Sequence, residues 1–281
     1  RWLLMFSKPL LIFMLTLFSL ILFYCFSILP RRSMRRQMEK YHQTMFAHRG
    51  YHCAPKGIPE NSMSSFRAAI EHHYGIELDL HLTRDGHLVV FHDHTLDRIC
   101  HCPGTIELLS LEQLKKCRLS GTSEQIPLFQ DVLTLVNGRV PLLIELKIPG
   151  YSLKICKKTY DLLRTYKGDY LVQSFHALGL WWFRIHAPEV LRGQLSSRLT
   201  KEQLNEPWLL RFLTEKLVCN FFSRPDFISY KLKDLPTFPV SFLSSVFHTP
   251  IAVWTLRTRE ALKTGLQHYS MQIFEKHGKN Y

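Results

Sequence analysis

Apolar and polar positions follow two rhythms along this chain. From Ile76 to Leu82 the order is I-E-L-D-L-H-L, with Glu77, Asp79 and His81 between the leucines. Side chains on a strand have a period of two, so the carboxylates and the imidazole share one face and the leucines the other. Short apolar runs at 45–48, 76–82, 141–147, 170–175, 191–196, 227–231, 251–256 and 271–275 predict strands. Between them, helical spacing runs over 62–73, 111–117, 130–136, 152–166, 177–186, 201–217 and 258–268. Strand–helix alternation implies parallel pairing through crossover helices, and eight such units suit an α/β fold, the closed (β/α)8 TIM barrel. A doubly wound sheet is the competing architecture. Polar residues at the strand ends favour the barrel, whose active face is built there. A short extra strand at 87–91, after the Asp85-Gly86 turn, predicts a hairpin insertion.

One stretch has no polar rhythm. Leu10 to Leu29 holds no charged residue. As a helix it would reach about 30 Å, the thickness of a hydrocarbon core. A buried core helix would not be apolar on every face, and no small-x-small cleavage pattern precedes Pro30. The expectation is one N-terminal transmembrane helix and a single-pass membrane protein. Arg31, Arg32, Arg35, Arg36 and Lys40 follow the run, against Arg1 and Lys8 before it. That asymmetry predicts a body on the cytoplasmic side, with the arginines against anionic headgroups. The chain divides at that point, with residues 1–40 the anchor and its basic flank and residues 41–281 the barrel.

Charge adds one constraint. The formal net charge is +13, and up to residue 40 only Glu39 opposes the basic side chains. Such a surface could serve nucleic acid, anionic lipid or a phosphate-bearing substrate. No nucleic-acid motif and no Gly-rich phosphate loop accompanies it, so lipid and phosphate remain. The seven cysteines are odd in number and irregularly spaced, which reads as free thiols in a reducing compartment. Cys100-His101-Cys102 has no second ligand pair and reads as loop thiols rather than a zinc site.

The candidate chemistry lies at the strand ends. Glu77, Asp79 and Glu145 come from two strand segments and would converge at one barrel mouth. Three carboxylates suit one hard divalent cation, Ca²⁺ or Mg²⁺, better than a zinc site built on Cys and His. Lys147 shares a face with Glu145, and Arg49 offers a planar donor fork; together they would hold a phosphate. His48 and His92 would serve as general base and general acid. Taken singly, each of these pieces is an ordinary strand face, turn or solvated pair; their joint order carries the reading.

That order resembles the glycerophosphodiester phosphodiesterase family, in its bacterial type. The matching segments are His48-Arg49-Gly50, Pro59-Glu60-Asn61-Ser62, Glu77-Leu78-Asp79, Thr83-Arg84-Asp85-Gly86, Val89-Val90-Phe91-His92-Asp93 and Glu145-Leu146-Lys147. Weaker similarity runs through Thr95-Leu96-Asp97-Arg98, Ile126-Pro127-Leu128, Gln173-Ser174-Phe175 and Val253-Trp254-Thr255. The resemblance implies a (β/α)8 barrel and metal-dependent hydrolysis of glycerophosphodiesters to glycerol 3-phosphate and an alcohol. It implies that Glu77, Asp79 and Glu145 hold the cation, with Glu60 supporting and His92 as a possible further ligand. His48 and His92 become the acid–base pair, Arg49 and Lys147 the phosphate binders, and Asn61 the residue that holds the first loop. The family pattern further implies that the substrate's glycerol 2-hydroxyl attacks first, giving a cyclic phosphate that water opens.

The chain departs from the pattern at its end. The family's last strand leads from Gly-[VA]-[DE]-Gly into T-[DN]-x-P, whereas here the order is Ser270-Met271-Gln272-Ile273-Phe274-Glu275-Lys276-His277-Gly278. That difference bears on substrate selectivity. Trp254, at a strand end, is the best candidate for a wall of the glycerol pocket. A membrane anchor also admits a lysophospholipid substrate, cleaved as by a phospholipase D. Runs such as Trp208-Leu209-Leu210 or Phe221-Phe222 could then form a lipid-facing rim, although such residues are more often helix core.

Overall fold

The structure is a computed structural model; it describes residues 2–202 and 206–276, and of residues 2–7 the backbone alone. The strands are β1 (Thr44–Ala47), β2 (Gly75–Leu82), β3 (Leu88–Val90), β4 (Leu142–Leu146), β5 (Tyr170–Ser174), β6 (Arg192–Ser196), β7 (Phe227–Lys231), β8 (Ile251–Leu256) and β9 (Met271–Phe274). Their order is β1-β9-β8-β7-β6-β5-β4-β2-β3, and β1 also pairs with β2. That last pairing closes the ring: all the ladders around it are parallel, and only β3 lies antiparallel on β2. The result is the expected closed eight-stranded parallel barrel with the expected hairpin.

The longer helices are α1 (Trp2–Ile28), α2 (Met63–Glu71), α3 (Phe129–Val136), α4 (Lys154–Leu163), α5 (Ala177–His186), α6 (Trp208–Glu215), α7 (Phe238–Phe247) and α8 (Arg259–His268). Three details differ from the sequence expectation. The segment 111–117 keeps one helical turn, Leu111–Leu114. The long helix expected over 201–217 is α6 alone, after a 3-10 turn at Leu199–Lys201; residues 203–205 lie outside the described residues. Helix α7, F-P-V-S-F-L-S-S-V-F, was not anticipated. The polar part of its exposed face is serine (Ser241, Ser244, Ser245) with no charged residue to mark it, and its proline sits in the first turn, where the ring costs no hydrogen bond.

Both faces of β2 are buried, as in any barrel strand wrapped by helices. Leu78 and Leu80 pack outward against the helices with Phe66, Ile144 and Phe183. The inside is stratified. Phe46, Leu143, Leu171, Phe227, Ala252 and Ile273 form an apolar floor, into which Met38 and Tyr41 pack from below. The basic flank of the anchor is therefore tied to the barrel. Arg31 makes a two-pronged pair with Asp226 at 2.6 Å on each prong. Above the floor the lining turns polar, with Glu77, Asp79, Glu145, Gln173 and Gln194 all buried. A third small cluster, around Val89, Phe91, Ile99 and Ile106, supports the insertion after β3. All seven cysteines are free thiols; those of Cys102 and Cys117 lie 3.6 Å apart within that insertion.

Candidate active site

Strand register brings the carboxylates together. Asp79 on β2 lies opposite Glu145 on β4, and Glu77 is two residues earlier on the same inward face. Carboxylate oxygens of Glu77, Asp79 and Glu145 all lie within 4.8 Å of one another. Burial and the neighbouring Asp79 and Glu145 push the Glu77 carboxyl well above its usual range. Burial also pushes Asp79 up, but Lys147, His92 and Arg49 outweigh it and hold Asp79 below its usual range. Buried, mutually repelling carboxylates with oxygen-only donors are the chemistry of a hard divalent cation site, so the residues fit the group expected from sequence. Lys147 lies against this trio. Its ammonium is 2.9 Å from Asp79 Oδ1 and also contacts Glu145, and these partners raise its pKa against the opposing effect of burial.

The turn after β1 frames one side. Gly50 has φ +77°, and a Cβ there would stand 2.3 Å from Ser65 Oγ, so only glycine fits. This turn aims the Arg49 backbone N–H at Glu77 Oε2, 3.0 Å away. The Arg49 guanidinium donates to Glu60 at 2.7 Å, while its Nε is 3.9 Å from Asp79. Asn61 donates to Asp79 Oδ2 at 2.9 Å, and its backbone N–H is bonded to the Arg49 carbonyl, so it does fasten the first loop. Ser62 and Ser65 close a capping box that starts α2 directly behind this loop. Glu60 is joined to Asp79 of the carboxylate trio through Arg49. Its two oxygens take Arg98 at 2.7 and 2.9 Å as well as Arg49.

Each imidazole has a carboxylate behind it, and each carboxylate an arginine. His48 Nδ1 is 2.6 Å from Glu275 Oε1, and Arg257 grips both Glu275 oxygens at 2.6 and 2.8 Å. His48 Nε2 faces inward, 3.9 Å from Glu77. Burial lowers the His48 pKa to about 4, against the raising pull of Glu275. His92 Nδ1 is 2.6 Å from Asp93 Oδ1, and Arg98 binds Asp93 at 2.7 and 3.0 Å. A carboxylate on Nδ1 fixes the ring and leaves Nε2 as the nitrogen without that partner. Buried His81 supports the second imidazole. Its Nδ1 meets Glu107 at 2.6 Å and its Nε2 meets the His92 carbonyl at 3.2 Å.

Trp254 stands at the end of β8, edge-on to Phe175 with ring centres 6.0 Å apart. Its indole Nε1 is buried with no hydrogen-bond partner among the described residues. The residues that sequence reasoning missed are Glu275, Arg257, Asp93 and Arg98. Asp93 and Arg98 stood within matched segments without a role. Glu275 and Arg257 are 18 positions apart and meet only because β8 and β9 are neighbours; their one advance signal was a charged residue just past each strand end. Of the divergent tail, His277 and Gly278 lie outside the described residues.

Residues 48–268 match the model of the glycerophosphoryl diester phosphodiesterase family. The chain is 34% identical over 181 residues to a glycerophosphodiester phosphodiesterase of Caldanaerobacter subterraneus, covering 58% of this chain and 69% of the relative. It is 34% identical over 161 residues to a glycerophosphodiester phosphodiesterase of Bacillus altitudinis, covering 52% of this chain and 63% of the relative. Among solved structures, it is similar to an Oleispira antarctica phosphodiesterase in complex with the product sn-glycerol-3-phosphate. That likeness has a TM-score of 0.68 at 22% identity and covers 84% of this chain and 94% of the other. A Thermotoga maritima glycerophosphodiester phosphodiesterase gives a TM-score of 0.64 at 23% identity, covering 83% and 94%. At such identities the structural likeness speaks for the barrel alone, while the match along most of the sequence speaks for ancestry: this chain belongs to the glycerophosphoryl diester phosphodiesterase family.

Proposed function

We propose that this chain hydrolyses glycerophosphodiesters to sn-glycerol 3-phosphate and an alcohol, with His48 and His92 as its acid–base pair. The observation that carries the reading is the convergence of Glu77, Asp79 and Glu145 in a mouth where two histidines each have Nδ1 tied to a carboxylate. The product bound in the Oleispira structure supports the substrate class.

In this reading Glu77, Asp79 and Glu145 hold one divalent cation, Ca²⁺ or Mg²⁺. When bound, it offsets the charge that builds on the phosphoryl oxygens. Arg49 and Lys147 add fixed positive charge beside the same oxygens. His48 donates Nδ1–H to Glu275, so Nε2 carries the lone pair. That atom takes the proton from the attacking 2-hydroxyl of the glycerol. His92, held through Nδ1 by Asp93, acts as the acid and gives a proton from Nε2 to the leaving alcohol oxygen. The first step forms one P–O bond and breaks another, giving a cyclic phosphate. In the second step the roles reverse and water opens the ring. The Trp254 indole lines the glycerol side.

Helix α1 is read here as a membrane span. Lys8–Ile28 has mean hydropathy 2.5 and only 11% of its most apolar stretch is buried against the protein. That anchor also favours a second substrate, a lysophospholipid cleaved at the membrane. Release of sn-glycerol 3-phosphate from glycerophosphocholine, with and without chelator, tests the first reading. Lysophosphatidylcholine in the same assay tests the second. A diester whose 2-hydroxyl is methylated should not turn over; its normal hydrolysis would refute the cyclic step.

A further inference from the structure

The way α1 leaves the barrel fixes which end of the barrel looks at the membrane. Active residues stand at the C-terminal ends of the strands. Ser196, the last residue of β6, donates to the Thr214 carbonyl at 2.9 Å, so the end of α6 lies at that same end. Two residues on, the Lys216 carbonyl accepts from Tyr24 of α1 at 3.1 Å. Further along, Asn220 binds the Ile28 carbonyl at 3.0 Å. Arg31 then reaches Asp226 and the Pro225 carbonyl, just before β7 begins at the floor. From Tyr24 to Arg31 the chain therefore descends the outer wall from mouth to floor. One helical turn and three extended residues span about 15 Å, the height of a five-residue strand. Traced backwards, Phe23 to Lys8 rises past the mouth.

Among the described residues outside α1, half of the large exposed apolar side chains stand on the rim of that mouth. Leu108 stands beside Glu107, whose carboxylate meets His81 near the end of β2, Tyr151 follows β4, Trp208, Leu209 and Leu210 follow β6, and Phe238 follows β7, and all are exposed. Trp208-Leu209-Leu210 and Phe221-Phe222, which the sequence leaves between helix core and a lipid-facing rim, are all exposed, and the first three stand on this rim. Phe238 is continuous with the anchor, stacked on Tyr24 with ring centres 6.4 Å apart. Large apolar side chains left exposed by four separate connections between strands mark a surface made to meet something apolar.

We propose that the mouth of the barrel faces the bilayer that holds α1, with Leu108, Tyr151, Trp208, Leu209, Leu210 and Phe238 seated in its interfacial layer. The proposal rests on the reading of α1 as a span. Tryptophan, tyrosine and phenylalanine beside a membrane helix are the side chains that interfaces accept. The occupant is lipid rather than a second chain, because the patch runs directly into the part of α1 that clears the mouth, residues 2–23, which at about 33 Å is long enough to cross. The site then draws its phosphodiester from the membrane surface, headgroup first.

The test uses the full chain in phosphatidylcholine vesicles. A photoreactive benzoylphenylalanine replaces Phe238, Trp208 or Tyr151 in turn. Val246 is the control: it is exposed on the same helix as Phe238 but at the floor end. Adducts with lipid, read by mass spectrometry, should be at least about tenfold more abundant at the three rim positions than at Val246. Equal yields, or adducts with a second protein chain, would overturn the proposal. Resistance to alkaline carbonate extraction is read on the same samples. A chain that stays in the membrane but labels equally everywhere keeps its anchor and loses this orientation. A chain that is extracted loses both. Thermal melting confirms that each variant is folded, and all the replaced side chains are exposed.

Discussion

Replacing Glu275 by glutamine isolates the role of the carboxylate behind His48. The substitution keeps the shape and removes the charge. Glu275 now accepts from His48 Nδ1 at 2.6 Å and from Arg257 at 2.6 and 2.8 Å. A glutamine has one acceptor oxygen and cannot satisfy both the imidazole and the two-pronged guanidinium. If Arg257 keeps that oxygen, His48 faces an N–H₂ group, its Nδ1 becomes the acceptor, and the proton moves to Nε2. The lone pair is then on the wrong nitrogen for a base. A hydrogen bond to a charged partner contributes about 1.5–3 kcal/mol, so this tautomer preference amounts to roughly 10- to 150-fold in rate. Arg257 is half exposed, so its own contribution is discounted by solvent. Steady-state release of sn-glycerol 3-phosphate should show kcat falling by that factor with KM nearly unchanged, and Arg257→Ala should cost less. A Glu275→Gln enzyme with wild-type kcat and an unchanged melting temperature would refute the argument.

Other outcomes follow from the same site. His48→Ala and His92→Ala, made separately, should each cost about 10²–10⁴ in kcat, and survival of hydrolysis in both would remove the acid–base assignment. Because burial takes His48 down to about 4, the base stays unprotonated until well below neutrality. The acid limb of kcat/KM governed by this base should therefore fall near pH 4, and a limb near the unperturbed 6.5 would contradict the burial. Glu145→Gln should raise the Mg²⁺ or Ca²⁺ concentration needed for half-maximal activity by roughly tenfold or more, measured after chelation and back-titration. Gly50→Ala adds left-handed strain and a clash with Ser65 Oγ, and should lower stability in urea by about 2–4 kcal/mol.

The legible part of the protein was the part governed by short-range pattern. Alternation over Ile76–Leu82 and the apolar runs set the strands, and strand–helix alternation set parallel closure, because crossover chirality leaves few other ways to bury both faces of a sheet. The motif order named Glu77, Asp79, Glu145, His48 and His92, since neighbouring strand ends must deliver them to one mouth. Pattern failed wherever a contact joins distant segments. Nothing local pairs Arg257 with Glu275, or Arg98 with Glu60, because those partners meet through the closure of the ring and the folding of the insertion. Composition could mark α1 as apolar but not the end of the barrel from which it departs, which the contacts of Tyr24 and Arg31 decide. Likewise Trp208, Leu209 and Leu210 look like core in a linear reading. Their exposure is a fact of packing, since Glu215 alone of α6 is buried. The sequence by itself determined which residues are chemically equipped; the tertiary structure decided which of them face one another and which are left facing outward, because period fixes the face of an element while only packing fixes its neighbour.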